Sequence, residues 1–171
     1  MKYIYLIRHA KSSWDNPAQT DFERALNERG IKDAPKMAQL LKSKNVKPDF
    51  IVSSPAVRAF TTAEIFAEKF GFPESIISAD ARIYEASTRE LSEVVQQLSD
   101  DYKTVFLFGH NPSISNFANL ISSKPIVDMP TCAIVGLELN IDGWNNLEKF
   151  CGKLILHEYP KKWRMENGDI I

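Results

Sequence analysis

Tyr3-Ile4-Tyr5-Leu6-Ile7-Arg8-His9-Ala10 is the stretch that decides how the chain reads. Its first five residues are an apolar and aromatic run of strand character. The run stops at a permanent cation and an imidazole, delivered together at the strand's carboxyl edge, where open α/β sheets put their chemistry. A neutral imidazole can attack phosphorus and form a covalent intermediate, and a neighbouring guanidinium can hold two phosphoryl oxygens in its planar fork. The pair points to phosphoryl transfer through histidine. Taken alone it is a weak signal, since Arg-His after a hydrophobic run occurs by chance and most such histidines only satisfy a local hydrogen bond.

Outward from this strand, 2–7, elements of both kinds alternate, the pattern of a mostly parallel sheet with helices on both faces. Asn27 can cap a helix that runs through Ala34, Met37, Ala38, Leu40 and Leu41, with Pro35 either kinking it or marking where its regular part begins. Phe50-Ile51-Val52 reads as a short buried strand. Ala56 to Lys69 puts Ala59, Ala63, Phe66 and Ala67 on one helical face, and Gly71 ends it. Ile76-Ile77 is a short strand candidate, Arg89 to Leu98 an amphipathic helix, and Thr104 to Phe108 the most strongly β segment. A helix follows from Pro112 to Ile121. Strands at about 133–140 and 153–159 flank an Asp142-Gly143 turn and form an antiparallel excursion at one edge.

This reading puts Arg8 with His9, Arg58, and His110 on three loops at strand ends. A transferring phosphoryl group carries its charge mainly on three equatorial oxygens, so it needs surrounding donors and a nucleophile in line with the leaving group. Two arginines and His110 supply the donors, and His9 the nucleophile. Cations beside His9 disfavour the imidazolium and keep the attacking neutral form accessible.

The chain has 171 residues, 44% of them hydrophobic, enough for one compact domain spanning 1–171. Its 21 Lys and Arg balance 22 Asp and Glu without a basic face, so no nucleic-acid partner is expected. No apolar run approaches the roughly 18 residues of a membrane span, and no leader pattern opens the chain. A soluble, cytoplasmic protein with no membrane partner is expected. Cys132 and Cys151 read as reduced, buried thiols. His9, His110 and His157 lack metal-ligand spacing, and neither a Gly-x-x-x-x-Gly-Lys nor a Gly-x-Gly-x-x-Gly loop is present. Neither a metal nor another cofactor is expected, and His157 reads as a packed or edge residue.

After Arg8-His9-Ala10, four blocks occur in order: Lys11-Ser12-Ser13-Trp14-Asp15-Asn16, Leu26-Asn27-Glu28-Arg29-Gly30, Ser53-Ser54-Pro55-Ala56-Val57-Arg58 and Phe108-Gly109-His110-Asn111-Pro112. Together they resemble the histidine phosphatase superfamily, which includes the phosphoglycerate mutases, and look most like its SixA-type phosphohistidine phosphatases. The resemblance runs from Met1 to about Ile121. It implies a phosphoglycerate mutase-like three-layer α/β sandwich and a metal-independent phosphatase. His9 would be transiently phosphorylated, with Arg8, Arg58 and His110 forming the phosphate pocket. Ser12 and Ser13 fall where the family's first loop closes over phosphate, or are solvent-facing hydroxyls. Glu85 falls where mutase-like members place a catalytic glutamate and would be the general acid; it also reads as a turn residue before the next helix. Ala10 and Lys11 depart from the mutase pattern.

Trp14 either walls the pocket or is a half-buried loop aromatic. Arg24 reads chiefly as a structural partner of Asp21 or Glu23, or else reaches the rim. Only 25 positions separate Glu85 from His110, which leaves little chain for a lid. An open site suits a phosphohistidine-bearing protein as substrate. The competing readings are a small-molecule phosphomonoesterase or mutase-like enzyme, and a non-catalytic phosphate-binding module.

Overall fold

The computed structural model describes residues 1–126 and 128–167. Six strands, β1 (Lys2–Arg8), β2 (Phe50–Ser53), β3 (Ile77–Ala79), β4 (Thr104–Gly109), β5 (Ile134–Leu139) and β6 (Gly152–Glu158), form one sheet in the order β3-β2-β4-β1-β5-β6. The first four in that order are mutually parallel; β5 is antiparallel to β1 and β6 to β5. Successive strand side chains point to opposite faces. Ile4 and Leu6 of β1 and Val105 and Leu107 of β4 therefore enter one core, while Tyr5, Ile7, Phe106 and Phe108 enter another. Helices α1 (Glu28–Ser43) and α2 (Val57–Lys69) cover the second face, and α3 (Thr88–Gln96) and α4 (Ser113–Ile121) the first. The result is the three-layer α/β sandwich that the sequence implies.

The side-chain oxygen of Asn27 caps α1 by accepting from the Gly30 N–H at 2.9 Å. The regular helix starts at Glu28, well before Pro35, and Gly30, Asp33 and Ala34 before the proline and Met37, Ala38 and Leu41 after it are buried along one face. Gly30 also lets α1 approach the loop after β1: a Cβ there would lie 2.2 Å from the Lys11 carbonyl oxygen. Helix α3 starts at a capping box, Ser87 with Glu90, and stops before Leu98, which lies past its C-cap. A final helix, α5 (Pro160–Asn167), is absent from the sequence reading. Its turns carry no apolar stripe; polar contacts hold it, Trp163 Nε1 donating to Glu158 at 2.7 Å and Arg164 pairing with buried Asp33 at 3.1 Å. Among the described residues no helix is long and apolar enough to cross a membrane.

Candidate active site

Strand register brings the site together. Arg8 pairs with Gly109, and Ser53 with Phe108, so β1, β2 and β4 end at one level. The residues just beyond those ends stay tied: the His9 N–H donates to the Gly109 carbonyl at 3.1 Å, and the Ser54 N–H to that of Phe108 at 3.0 Å. Thr62, fully buried on α2, accepts from the Ala10 N–H at 3.1 Å and donates to the Arg58 carbonyl at 2.7 Å, fastening the first loop to the helix that carries Arg58. Arg8, His9, Arg58 and His110 then line one cleft of about 510 Å³.

The two imidazoles lie with ring centroids 5.2 Å apart. His9 Nδ1 is 2.8 Å from the Ala10 carbonyl oxygen, which can only accept, so the ring proton sits on Nδ1 and Nε2 keeps its lone pair. Burial pulls the His9 pKa down to about 4, against the pull of the Ala10 hydrogen bond and with help from the charges of Arg58, Arg8 and Arg24. His110 is drawn down to about 3, again first by burial and then by His9 and Arg58. Both rings are neutral near pH 7. His110 Nε2 lies 2.8 Å from the hydroxyl of buried Ser54.

A network on the rim holds the cations in place. Arg58 gives one terminal nitrogen to the Asp21 carbonyl at 2.6 Å and the other to the Asp21 carboxylate at 3.0 Å. That carboxylate also takes the Tyr84 hydroxyl at 2.7 Å and the Arg24 guanidinium at 3.1 Å. Its partial burial is outweighed by the bonds from Tyr84 and Arg58, so its pKa falls to about 2; Tyr84, bonded to it, is pushed up to about 12. Arg24 donates to Ser12 and lies under the indole of Trp14, its guanidinium carbon 3.5 Å from the ring centroid. Arg8 reaches the other way, to the Met129 carbonyl at 3.1 Å in the segment before β5. With these partners made, three buried side-chain nitrogens among the described residues have none: Nε of Arg8, Nε of Arg58 and Nδ1 of His110.

The chain has relatives among known proteins. The model of the histidine phosphatase superfamily, branch 1, matches residues 4–103. The chain belongs to that superfamily. A curated relative, an uncharacterized chloroplastic protein of Arabidopsis thaliana, is 29% identical over 95% of this chain and 75% of its own length. The candidate phosphohistidine phosphatase SixA of Agrobacterium tumefaciens is 26% identical and superposes with a TM-score of 0.75, over 93% of this chain and 98% of its own. A protein histidine phosphatase SixA complexed with tungstate shares the fold with a TM-score of 0.80 at 21% identity, over 94% of this chain and 98% of its own.

Of the residues singled out from the sequence, Arg8, His9, Ser12, Arg58, Glu85 and His110 all line the cleft of this superfamily member, and Ser13 does not. The Ser13 hydroxyl instead accepts from the Asp15 N–H at 3.1 Å within its own loop. Glu85 is exposed and sits in the left-handed region, φ 56°, with no hydrogen bond or ion pair among the described residues. Trp14 lines the cleft and is far from half-buried, at 76% exposure. Arg24 pairs with Asp21 as the sequence reading favoured, yet it is buried and also lines the cleft. His157 lies on β6 against the Asp128 carbonyl, outside the cleft lining. Asp21 as the latch of Arg58, Tyr84 and Ser54 escaped the sequence reading. Their contacts span 37, 63 and 56 residues, and no local pattern announces such pairs.

Proposed function

We propose that the protein is a phosphatase working through a phosphohistidine on His9, and that its substrate is a phosphohistidine borne by another protein. The observation that carries the first part is the trio of buried unpartnered nitrogens on Arg8, Arg58 and His110. Buried polar groups are nearly always hydrogen-bonded, so three together around one cleft are a ligand set awaiting acceptors. Three donors match the three equatorial oxygens of a phosphoryl group in transfer.

His9 Nε2 attacks phosphorus, and the N–P bond forms as the bond to the leaving atom breaks. The leaving atom takes a proton. Water then attacks the phosphorus, the N–P electron pair returns to Nε2, and inorganic phosphate departs. Glu85, unpaired in the cleft lining, is placed to give the first proton and take one from the water. Ser12 acts through Arg24, which adds positive charge at the rim.

Two features support a protein substrate. The exposed indole of Trp14 stands on the rim, and the segment between Glu85 and His110 is occupied by α3 and β4, with no inserted cover. An imidazole leaving group is easily protonated and asks little of an exposed carboxyl such as Glu85. Side-by-side kinetics on a phosphohistidine peptide, 3-phosphoglycerate and a sugar phosphate test this. The peptide is expected to show the highest kcat/KM, with phosphoglycerate not isomerised; a clear preference for a small metabolite overturns the substrate assignment and leaves the His9 chemistry standing.

A further inference from the structure

Buried at the end of β2, Ser54 has 0% exposure and two side-chain contacts: its oxygen accepts the Ala56 N–H at 3.2 Å and lies 2.8 Å from His110 Nε2. We propose that Ser54 is a positioning residue that fixes the tautomer of His110: its hydroxyl donates to Nε2, which places the ring's single proton on Nδ1 and makes that nitrogen a donor to phosphoryl oxygen. This rests on the phosphatase reading of the cleft and adds the residue that sets the sign of its second histidine.

A hydroxyl has one proton and two lone pairs. One lone pair is taken by the Ala56 N–H. If His110 Nε2 also donated to this oxygen, the hydroxyl would accept twice, and its own proton would be left buried without an acceptor among the described residues. Nδ1 would then carry a bare lone pair beside Arg8 and Arg58 in a cleft built for an anion. In the opposite arrangement nothing is wasted: the serine proton goes to Nε2, and Nδ1–H is the buried nitrogen that still lacks a partner. A doubly protonated ring would fit neither, because Nε2–H would again face a hydroxyl with its proton unplaced. The low basicity that burial imposes on His110 keeps the ring singly protonated.

The fold supplies the contact. The pairing of Ser53 with Phe108, continued by the Ser54 N–H bond to the Phe108 carbonyl, sets the first residue past β2 beside the second residue past Phe108 on the neighbouring strand. A serine hydroxyl there makes both contacts.

The test is the ring itself. Long-range proton–nitrogen correlation spectra of the wild type, with inorganic phosphate bound, should show His110 protonated on Nδ1. Ser54→Thr keeps the hydroxyl and should keep that pattern and most of kcat/KM. Ser54→Ala should shift the proton towards Nε2 and lower kcat/KM by about 10²-fold, the low end for losing one oxyanion donor, with weaker inhibition by orthovanadate. A wild-type His110 protonated on Nε2 overturns the proposal, as does a folded Ser54→Ala enzyme with unchanged tautomer and unchanged kcat/KM. Should Ser54→Ala fail to fold, the wild-type spectrum and Ser54→Thr decide. The spectrum does not depend on turnover, so it separates failure of this proposal from failure of the phosphatase reading.

Discussion

The turn after β1 and the turn after β4 start from adjacent strands, at the paired residues Arg8 and Gly109, and each puts a buried histidine into the lining of the cleft. The two rings are alike in exposure, 6% for His9 and 9% for His110, and burial lowers both pKa values, to about 4 and about 3. They differ in which nitrogen is anchored and by what. His9 spends its Nδ1 proton on a backbone carbonyl and keeps a lone pair on Nε2. His110 leans its Nε2 on a serine hydroxyl and leaves Nδ1 unpartnered. Side-chain type, burial and basicity do not separate the nucleophile from the donor of the proposed mechanism; the hydrogen bond on the far side of each ring does.

Removing the two rings one at a time should separate them most widely. His9→Ala is expected to abolish turnover, since no other group in the cleft holds a free imidazole lone pair against the phosphoryl position. His110→Ala should lower kcat/KM by about 10²- to 10³-fold, the loss typical of one oxyanion donor, with turnover still measurable. Equal losses in steady-state assays would erase the distinction between the two turns.

A smaller effect is expected at Asp21, whose hydrogen bonds go to the cations and Tyr84 and to neither imidazole. Asp21→Asn keeps the backbone carbonyl bond to Arg58 but weakens the carboxylate bonds to Arg58, Arg24 and Tyr84. Its kcat/KM should fall less than that of His110→Ala, with Arg58→Lys much worse, because an ammonium cannot use a fork geometry. Stopped activity in Asp21→Asn, at the level of His9→Ala, would mean that the carboxylate itself takes part in the chemistry.

The mildest test is pH. The kcat/KM profile reports the free enzyme. After correction for the substrate's own ionisation, loss of activity through protonation of His9 should set in only towards its pKa of about 4. Stability responds over a different window. Both histidines have folded pKa values below the 6.5 of an unperturbed imidazole, so the unfolded chain binds the extra protons between 6.5 and about 4 for His9 and between 6.5 and about 3 for His110. Stability contributed by the neutral rings is full above 6.5 and is lost as pH falls through those windows. Denaturant midpoints of the wild type should drop there more than those of the His9→Ala, His110→Ala double variant; parallel curves would contradict the buried, neutral rings.

Much of this was legible in the sequence because it is local. The apolar run of β1 ends at Arg8-His9, β4 ends at Gly109-His110, and Arg58 opens the helix after β2; each follows an element whose period or composition is plain. What stayed hidden depends on register and on contacts across long stretches of chain. Asp21 looked like a partner of Arg24, and it is, but that it also holds Arg58 requires knowing that α2 starts beside the loop before α1. Ser54 was visible only as part of a motif, since its bond to His110 exists through the β2–β4 pairing. Helix α5 has a polar sequence without an apolar stripe, and its anchors Glu158 and Asp33 come from β6 and α1. Loop side chains were the hardest to place: Ser12 and Ser13 are neighbours, yet one lines the cleft and the other bonds inside its own loop.

The proposed division of labour between the two histidines rests on one covalent event. Brief reaction with substrate labelled at phosphorus, followed by quenching and peptide mapping, should leave the label on His9, lost in mild acid and stable in alkali, as a phosphoramidate behaves. His110→Ala should still acquire it, and His9→Ala should not. Label recovered on His110, or as an acid-stable phosphoester anywhere in the chain, would contradict the assignment of His9 as the nucleophile.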